Sequence, residues 1–360
     1  MTKTNPKEII RIRAGARALA ELRSNGLDAA RIGFVPGAAG GPKAVGLVGL
    51  DQAIFPWLAS APRRRELIGA SIGAWRMVCA LQDDAPAAFA RLAERYTATR
   101  YPSADVAAIT TETRAMLRDV YGAAPGQALA HPDYRLSILV VASHGLMNRD
   151  GRLPLAAGLA TTAALNALAR PLIGRMLTRV VCHDPRDTPC FLPDDGIPTR
   201  TLALTHDNLS EVMLASAAIP GVIAGVRLDA TPGRLLRDGG LADYHLDLPF
   251  AGHGDLVLYP HFTDRIVPGW FDKFLPWRHA DPQRQADTIV VSPAPAYLAK
   301  LGLGRLPDRR DFRRFAGRDA ERQRLWRAAA AESQRLGDTL LQLVASGEIA
   351  AIAEPLFDAQ

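Results

Sequence analysis

Cysteine is scarce in this chain. Cys79, Cys182 and Cys190 are the three in 360 residues, too few and too scattered for a disulfide framework or a four-ligand zinc site. They read as buried apolar residues of a protein in the reducing cytosol. Aromatic residues make up 6% of the sequence and do not interleave with basic ones as they do in single-strand binders. With no zinc-finger spacing either, nucleic acid is not the expected partner. Long apolar runs are also missing, since no window approaches the ~18 consecutive apolar residues of a membrane span. The opening MTKTNPKEIIRIRAGARALAEL is basic without a continuous apolar stretch, so it reads as an amphipathic helix and not a signal peptide. No cluster has metal-ligand spacing, and neither a metal nor a cofactor is expected.

What the chain does have is apolar bulk, at 48% of residues, enough for one sizeable core. It also carries a net charge of +6, which favours anionic contacts such as a membrane surface or an acidic metabolite. The Arg-rich stretches Arg63–Arg64–Arg65 and Arg305 to Arg327 read as solvated faces. Short β-rich runs alternate with helical spacing, the pattern of a mostly parallel sheet between helical layers, a three-layer α/β/α fold. Strands are expected at 31–37, 66–71, 136–143, 179–184, 199–205, 222–229, 234–240, 256–262 and 287–293. Helices are expected at 43–58, 72–81, 86–96, 103–121 and 208–218. Residues 1–30 and 296–360 read as helical extensions of a domain spanning 31–295, the latter with a charged helix near 319–337 and an apolar one near 339–344.

The chemistry concentrates at a few short words. Gly69-Ala70-Ser71-Ile72-Gly73 fits G-x-S-x-G at a strand-to-helix junction, where small neighbours let the serine occupy a sharp turn. The helix N-terminus offers free N–H groups to a developing oxyanion. Upstream, Gly37-Ala38-Ala39-Gly40-Gly41-Pro42-Lys43 is the loop of the preceding strand, and a right-handed crossover sets the two loops side by side at the carboxyl edge of the sheet. Gly40 and Gly41 can present bare N–H groups to an oxyanion, each typically worth ~3 kcal/mol in the transition state. Asp238, followed by Gly239 and Gly240 at the end of a strand, is the positional candidate for the base.

Taken in order, GGPK, GASIGAW, ASAAIPGV (215–222) and DGGLADYHLDLPF (238–250) resemble the patatin-like phospholipases over roughly Ile32 to Pro249. The resemblance implies a patatin-like fold, with Ser71 as nucleophile, Asp238 as base in a dyad without histidine, Gly40 and Gly41 as oxyanion donors, and a fatty-acyl lipid ester as substrate. The few cysteines and the net positive charge add the expectation of a cytoplasmic protein, peripheral to the inner face of a membrane. The chain departs from the family at Ala39, where a glycine is usual, and at Lys43-Ala44, where arginine and glycine are usual; lysine lacks the guanidinium fork for clamping phosphate.

Other readings stay open beside this one. An α/β-hydrolase-type esterase would recruit His245 or His253. The pocket could bind acyl lipids without turnover, or pass the acyl group to an acceptor other than water. His144 and His183-Asp184 stand at expected strand ends, as pocket lining or as satisfied core and loop residues. Trp270, Phe271, Phe274 and Trp277 put four aromatics into eight residues, either as core or as a lid or membrane-docking loop.

Overall fold

A computed structural model describes residues 5–101, 105–122 and 125–357. The strands are β1 (Ile10–Ala14), β2 (Ile32–Gly37), β3 (Arg65–Ala70), β4 (Tyr134–Ser143), β5 (Leu177–His183), β6 (Thr199–Ala203), β7 (Leu236–Asp238), β8 (Leu256–Pro260), β9 (Thr288–Pro293) and β10 (Glu354–Pro355). They form one mixed sheet in the order β10-β1-β9-β8-β2-β3-β4-β5-β6, with β7 added to β4. The five strands β9-β8-β2-β3-β4 run parallel, so their carboxyl ends share one edge. β3 shows why: every residue of Arg65–Ala70 is buried, and Leu67 and Ile68 belong to the cores on opposite faces. A strand covered on both sides reads as a continuous apolar run, and helices flank the sheet in an α/β/α arrangement.

Several expectations need correction. The N-terminal segment is not one helix, because Ile10-Arg11-Ile12-Arg13-Ala14 alternates with period two and buries Ile10, Ile12 and Ala14 as a strand antiparallel to β9, with the two-residue β10 on its other side. Short helices, Pro6–Ile9 and Ala16–Asn25, flank it. Residues 222–229 are not a strand; only Val226 bridges Leu236, because Gly225 packs directly against Leu235 and β7 is three residues long. The helix expected over 43–58 begins as a 3₁₀ turn, Gly41–Leu47, before Val48–Ala59. The helix expected over 103–121 is Val106–Tyr121, with Ser103 outside the described residues.

The Arg-rich stretches are not simply solvated. Arg65 is buried and donates to the carbonyls of Ile32, Ala29 and Ala61. Arg322 is buried too, donating to the carbonyls of Thr97 and Thr99, with its guanidinium against Phe312 and Trp326. The C-terminal helices Asp319–Glu332 and Gln334–Ser346 pack onto the same body. A Cβ on Gly337 would sit 2.5 Å from the Gly49 carbonyl oxygen, and Ser333 Oγ accepts the Gly49 N–H at 2.8 Å. Cys79 and Cys182 are buried as expected, but Cys190 is exposed, being in the loop after β5 and not in the sheet.

Candidate active site

Strand β3 ends at Ala70, and the chain reverses at Ser71 into the helix Ile72–Ala80. Ser71 has φ +55° and ψ −133°, one of two non-glycine residues with positive φ among those described. Such a conformation costs on the order of 1–3 kcal/mol and persists only where its surroundings enforce it. Here the Ser71 N–H donates to Ser216 Oγ at 2.8 Å, and that hydroxyl donates onward to the Leu139 carbonyl at 2.8 Å. Small neighbours are required, as the motif implied: a side chain on Gly69 would strike the backbone of Ala74. Gly73 is constrained differently, by the Gly37 carbonyl of the neighbouring strand.

The position of Asp238 follows from strand register. β3 pairs with the first part of β4, ending with Ala70 opposite Leu139. β7 runs antiparallel along the same edge of β4 and ends with Asp238 opposite Val140. The two strands therefore meet end to end, and the residue after Ala70 faces Asp238. Gly239 makes this approach possible, because any side chain there would strike the Leu139 carbonyl. Burial pushes the Asp238 carboxyl up to about 6, against the Ser71 hydroxyl, the Gly240 N–H, Arg309 and Lys273, which all favour the charged form. The Gly240 N–H donates to Oδ1 at 2.8 Å.

The glycine loop lies alongside, with Gly37 of β2 opposite Gly69 of β3. Of its amides, that of Ala39 is taken by the Tyr244 carbonyl at 3.0 Å. Those of Gly40 and Gly41 have no partner among the described residues, and Gly41 opens the 3₁₀ turn, where N–H groups have no intrahelical acceptor. Gly41 needs its freedom at φ +57°. The alanine at position 39 is accommodated because Gly240 faces it; a Cβ on Gly240 would lie 2.8 Å from that of Ala39.

Ser71 lies where two small cavities meet. One, of about 60 Å³, is lined by Asp238, Tyr244, Trp270, Leu159, Ile219 and Arg309 among others. The second, about 40 Å³, is mostly apolar, with Trp75, Tyr96, Tyr101, Met116 and Ile223 in its wall. Lys43 lines neither: its ammonium sits 3.9 Å from Asp308 and over the Phe262 ring, and burial pushes its pKa down. The cation beside the dyad is instead Arg309, which makes no ion pair among the described residues and occupies the space left by Gly41, its Nε 3.2 Å from where a Cβ would be. Lys273 reaches the rim with its ammonium 4.2 Å from the Tyr244 ring centre, its pKa lowered to about 8 by partial burial and by the neighbouring Lys43 and Arg309.

Among the described residues no histidine lines either cavity. His245 accepts the Val267 N–H on Nδ1 at 3.0 Å, His253 lies exposed near the Pro249 carbonyl, and His183 points Nδ1 at the carbonyls of Asp184 and Asp187. His144 binds Thr178 in a separate cavity. Asp243, the second aspartate of the 238–250 run, is structural, binding Arg179 of β5 at 2.7 and 2.8 Å. Of the aromatic segment, Trp270 lines the site and Phe271 is buried, while Phe274 and Trp277 are exposed. Among the described residues no group of His, Cys, Asp and Glu is arranged to hold a metal ion, and no helix is long and apolar enough to cross a membrane. No protein-family model matches the chain, and no curated protein matches it in sequence.

Proposed function

We propose that this protein is a serine acyl hydrolase, similar to the patatin-like phospholipases, that cleaves a carboxylic ester of a fatty-acyl lipid from the cytoplasmic side. The observation that carries the reading is the end-to-end meeting of β3 and β7 on one edge of β4, which sets a strained serine against a buried carboxylate. In the proposed reaction Asp238 accepts the Ser71 proton as Oγ attacks the acyl carbonyl. The free amides of Gly40 and Gly41 receive the oxyanion; as it collapses Asp238 gives the proton to the departing alcohol, and water deprotonated by the regenerated carboxylate then releases the acid, the proton returning to Ser71 Oγ. A carboxylate with a pKa near 6 is a stronger base than an ordinary one and is still ionised at neutral pH. The missing histidine at Ser71 favours the dyad over a triad.

The apolar wall supports an acyl chain, and Arg309 supports an anionic group near the scissile ester. The cavities as they stand hold a few waters, so a long chain enters only as their walls part. The test is mass spectrometry of lipid extracts incubated with wild-type protein and with Ser71→Ala. Wild type is expected to deplete acyl esters and release fatty acid, and Ser71→Ala to lose roughly 10⁴-fold or more of that activity. Equal turnover by the two proteins would refute the assignment.

A further inference from the structure

Six large hydrophobic side chains are exposed among the described residues: Leu146, Leu153, Leu168, Leu192, Phe274 and Trp277. Five of them, all but Leu192, lie on three elements that pack together. These are the turn Gly145–Asn148, the helix Arg152–Leu168 and the segment running on from the turn Phe271–Phe274. Gly158 of the helix rests on Leu146 and Met147. The helix is tied to the last segment by Asn166, whose amide donates to Asp272 at 2.7 Å and whose carbonyl accepts from Arg278 at 3.0 Å.

The helix is unusual for one that faces water. Its inner face buries Leu155, Gly158, Thr162 and Asn166. After Arg152, its exposed residues are Leu153, Leu168, six alanines and one threonine, recurring every three or four positions. A solvated helix normally places charges on that stripe; here none occurs between Arg152 and Arg170. Charge returns only at the fringe, and it is mostly positive: Arg149, Arg152, Arg175 and Lys273 are exposed, the exposed Asp150 beside them is paired with Arg237 at 2.9 Å, and no acidic residue occurs from 151 to 183. Contiguous exposed apolar surface on a monomer marks a contact site, and an apolar stripe fringed by cations with Trp and Phe beside it matches the chemistry of an anionic bilayer surface.

We infer that the outer face of the helix Arg152–Leu168, with Leu146, Phe274 and Trp277, docks the protein onto the surface of an anionic lipid bilayer. The surface is continuous with the site: Leu159 of the same helix and Trp270, just before the turn, line the cavity at Ser71. Docking would thus set the mouth against the lipid that holds the substrate. The inference rests on the hydrolase reading only for the meaning of that mouth, since the surface itself involves neither Ser71 nor Asp238.

The experiment is sedimentation of the full chain carrying Ser71→Ala with vesicles of equal parts phosphatidylcholine and phosphatidylglycerol, and with phosphatidylcholine alone. Binding is expected to the anionic vesicles, to weaken with added salt, and to fall roughly ten-fold or more when Leu153→Glu, Leu168→Glu and Trp277→Glu are added. These positions are exposed, so circular dichroism should report an unchanged fold. Unchanged binding by that variant overturns the proposal. So does a wild-type chain that ignores vesicles, whether it elutes as a dimer separated by the same substitutions, with a second copy as the occupant, or as a monomer awaiting a protein partner. The surface substitutions, placed in the Ser71 background, should leave turnover of a soluble short-chain ester unchanged; vesicle binding without any ester turnover would remove the hydrolase reading while leaving the docking surface in place.

Discussion

Burial dominates the charge balance at Asp238, opposed by the Ser71 hydroxyl, the Gly240 N–H and then Arg309. Burial raises the carboxyl to about 6, and the guanidinium draws it down. Because the base works as carboxylate, kcat/KM for a soluble ester should rise with pH through about 6 and level off above it. Arg309→Ala removes a stabiliser of the charged form, so the pKa climbs and the acid limb moves to higher pH. A pH–rate profile of the variant with an unmoved limb would contradict the placement of Arg309, whereas a purely structural role would change the amplitude alone. Ser71 and Asp238 were legible because their neighbours are forced: Gly69 and Gly239 have no room for a side chain, and such constraints leave short words in the sequence. Arg309 was not legible, since it arrives from the far end of the chain in a run of arginines that resembles any solvated face. Lys43 was singled out on the pattern of its loop, yet Asp308 and Phe262 hold it away from the cavities.

Strands and helices position these groups by a few cross-links between elements. Ser216, at the end of the helix Leu209–Ser216, joins the backbone of Ser71 to that of Leu139 through one hydroxyl. Ser216→Ala leaves a buried N–H without an acceptor, a loss of about 1–3 kcal/mol. Thermal unfolding should show a fall in Tm of roughly 1–4 °C, and steady-state kinetics a lower kcat with KM little changed, because the turn that aims Ser71 loosens. A variant with wild-type Tm and kcat would show that the turn holds itself. A second cross-link, Arg76 to Asp51 at 2.6 and 2.7 Å, ties the helix after Ser71 to the helix after the glycine loop. It is fully buried, so losing either partner would strand a charge in the core. The parallel strands could be read from their continuous apolar runs. β1 was obscured because a short Ile-Arg-Ile-Arg run in a basic segment reads as part of an amphipathic helix, and pairing with β9 and β10 decides for the strand. Residues 222–229 look β-rich but have only a single bridge to pair with.

The whole molecule is organised so that distant segments converge on one edge of the sheet. The glycine loop, the turn at Ser71, the β7 end and Arg309 of the C-terminal segment supply the oxyanion donors, nucleophile, base and cation of the proposed reaction, and the cavities between them are too small for a long acyl chain as they stand. The layer architecture was readable from the alternation of strand and helix. The path of residues 296–360 was not, because helical spacing says nothing of where a helix docks; it took the Gly49–Gly337 contact and Ser333 to fix it. The proposed chemistry depends above all on Asp238 activating Ser71. Its most direct test is labelling of the intact protein by a fluorophosphonate, followed by peptide mass spectrometry, in wild type and in Asp238→Asn. A single adduct on Ser71 that disappears or slows at least about 10²-fold in the variant is the predicted result. No adduct in wild type, an adduct elsewhere, or undiminished labelling of Asp238→Asn would contradict it.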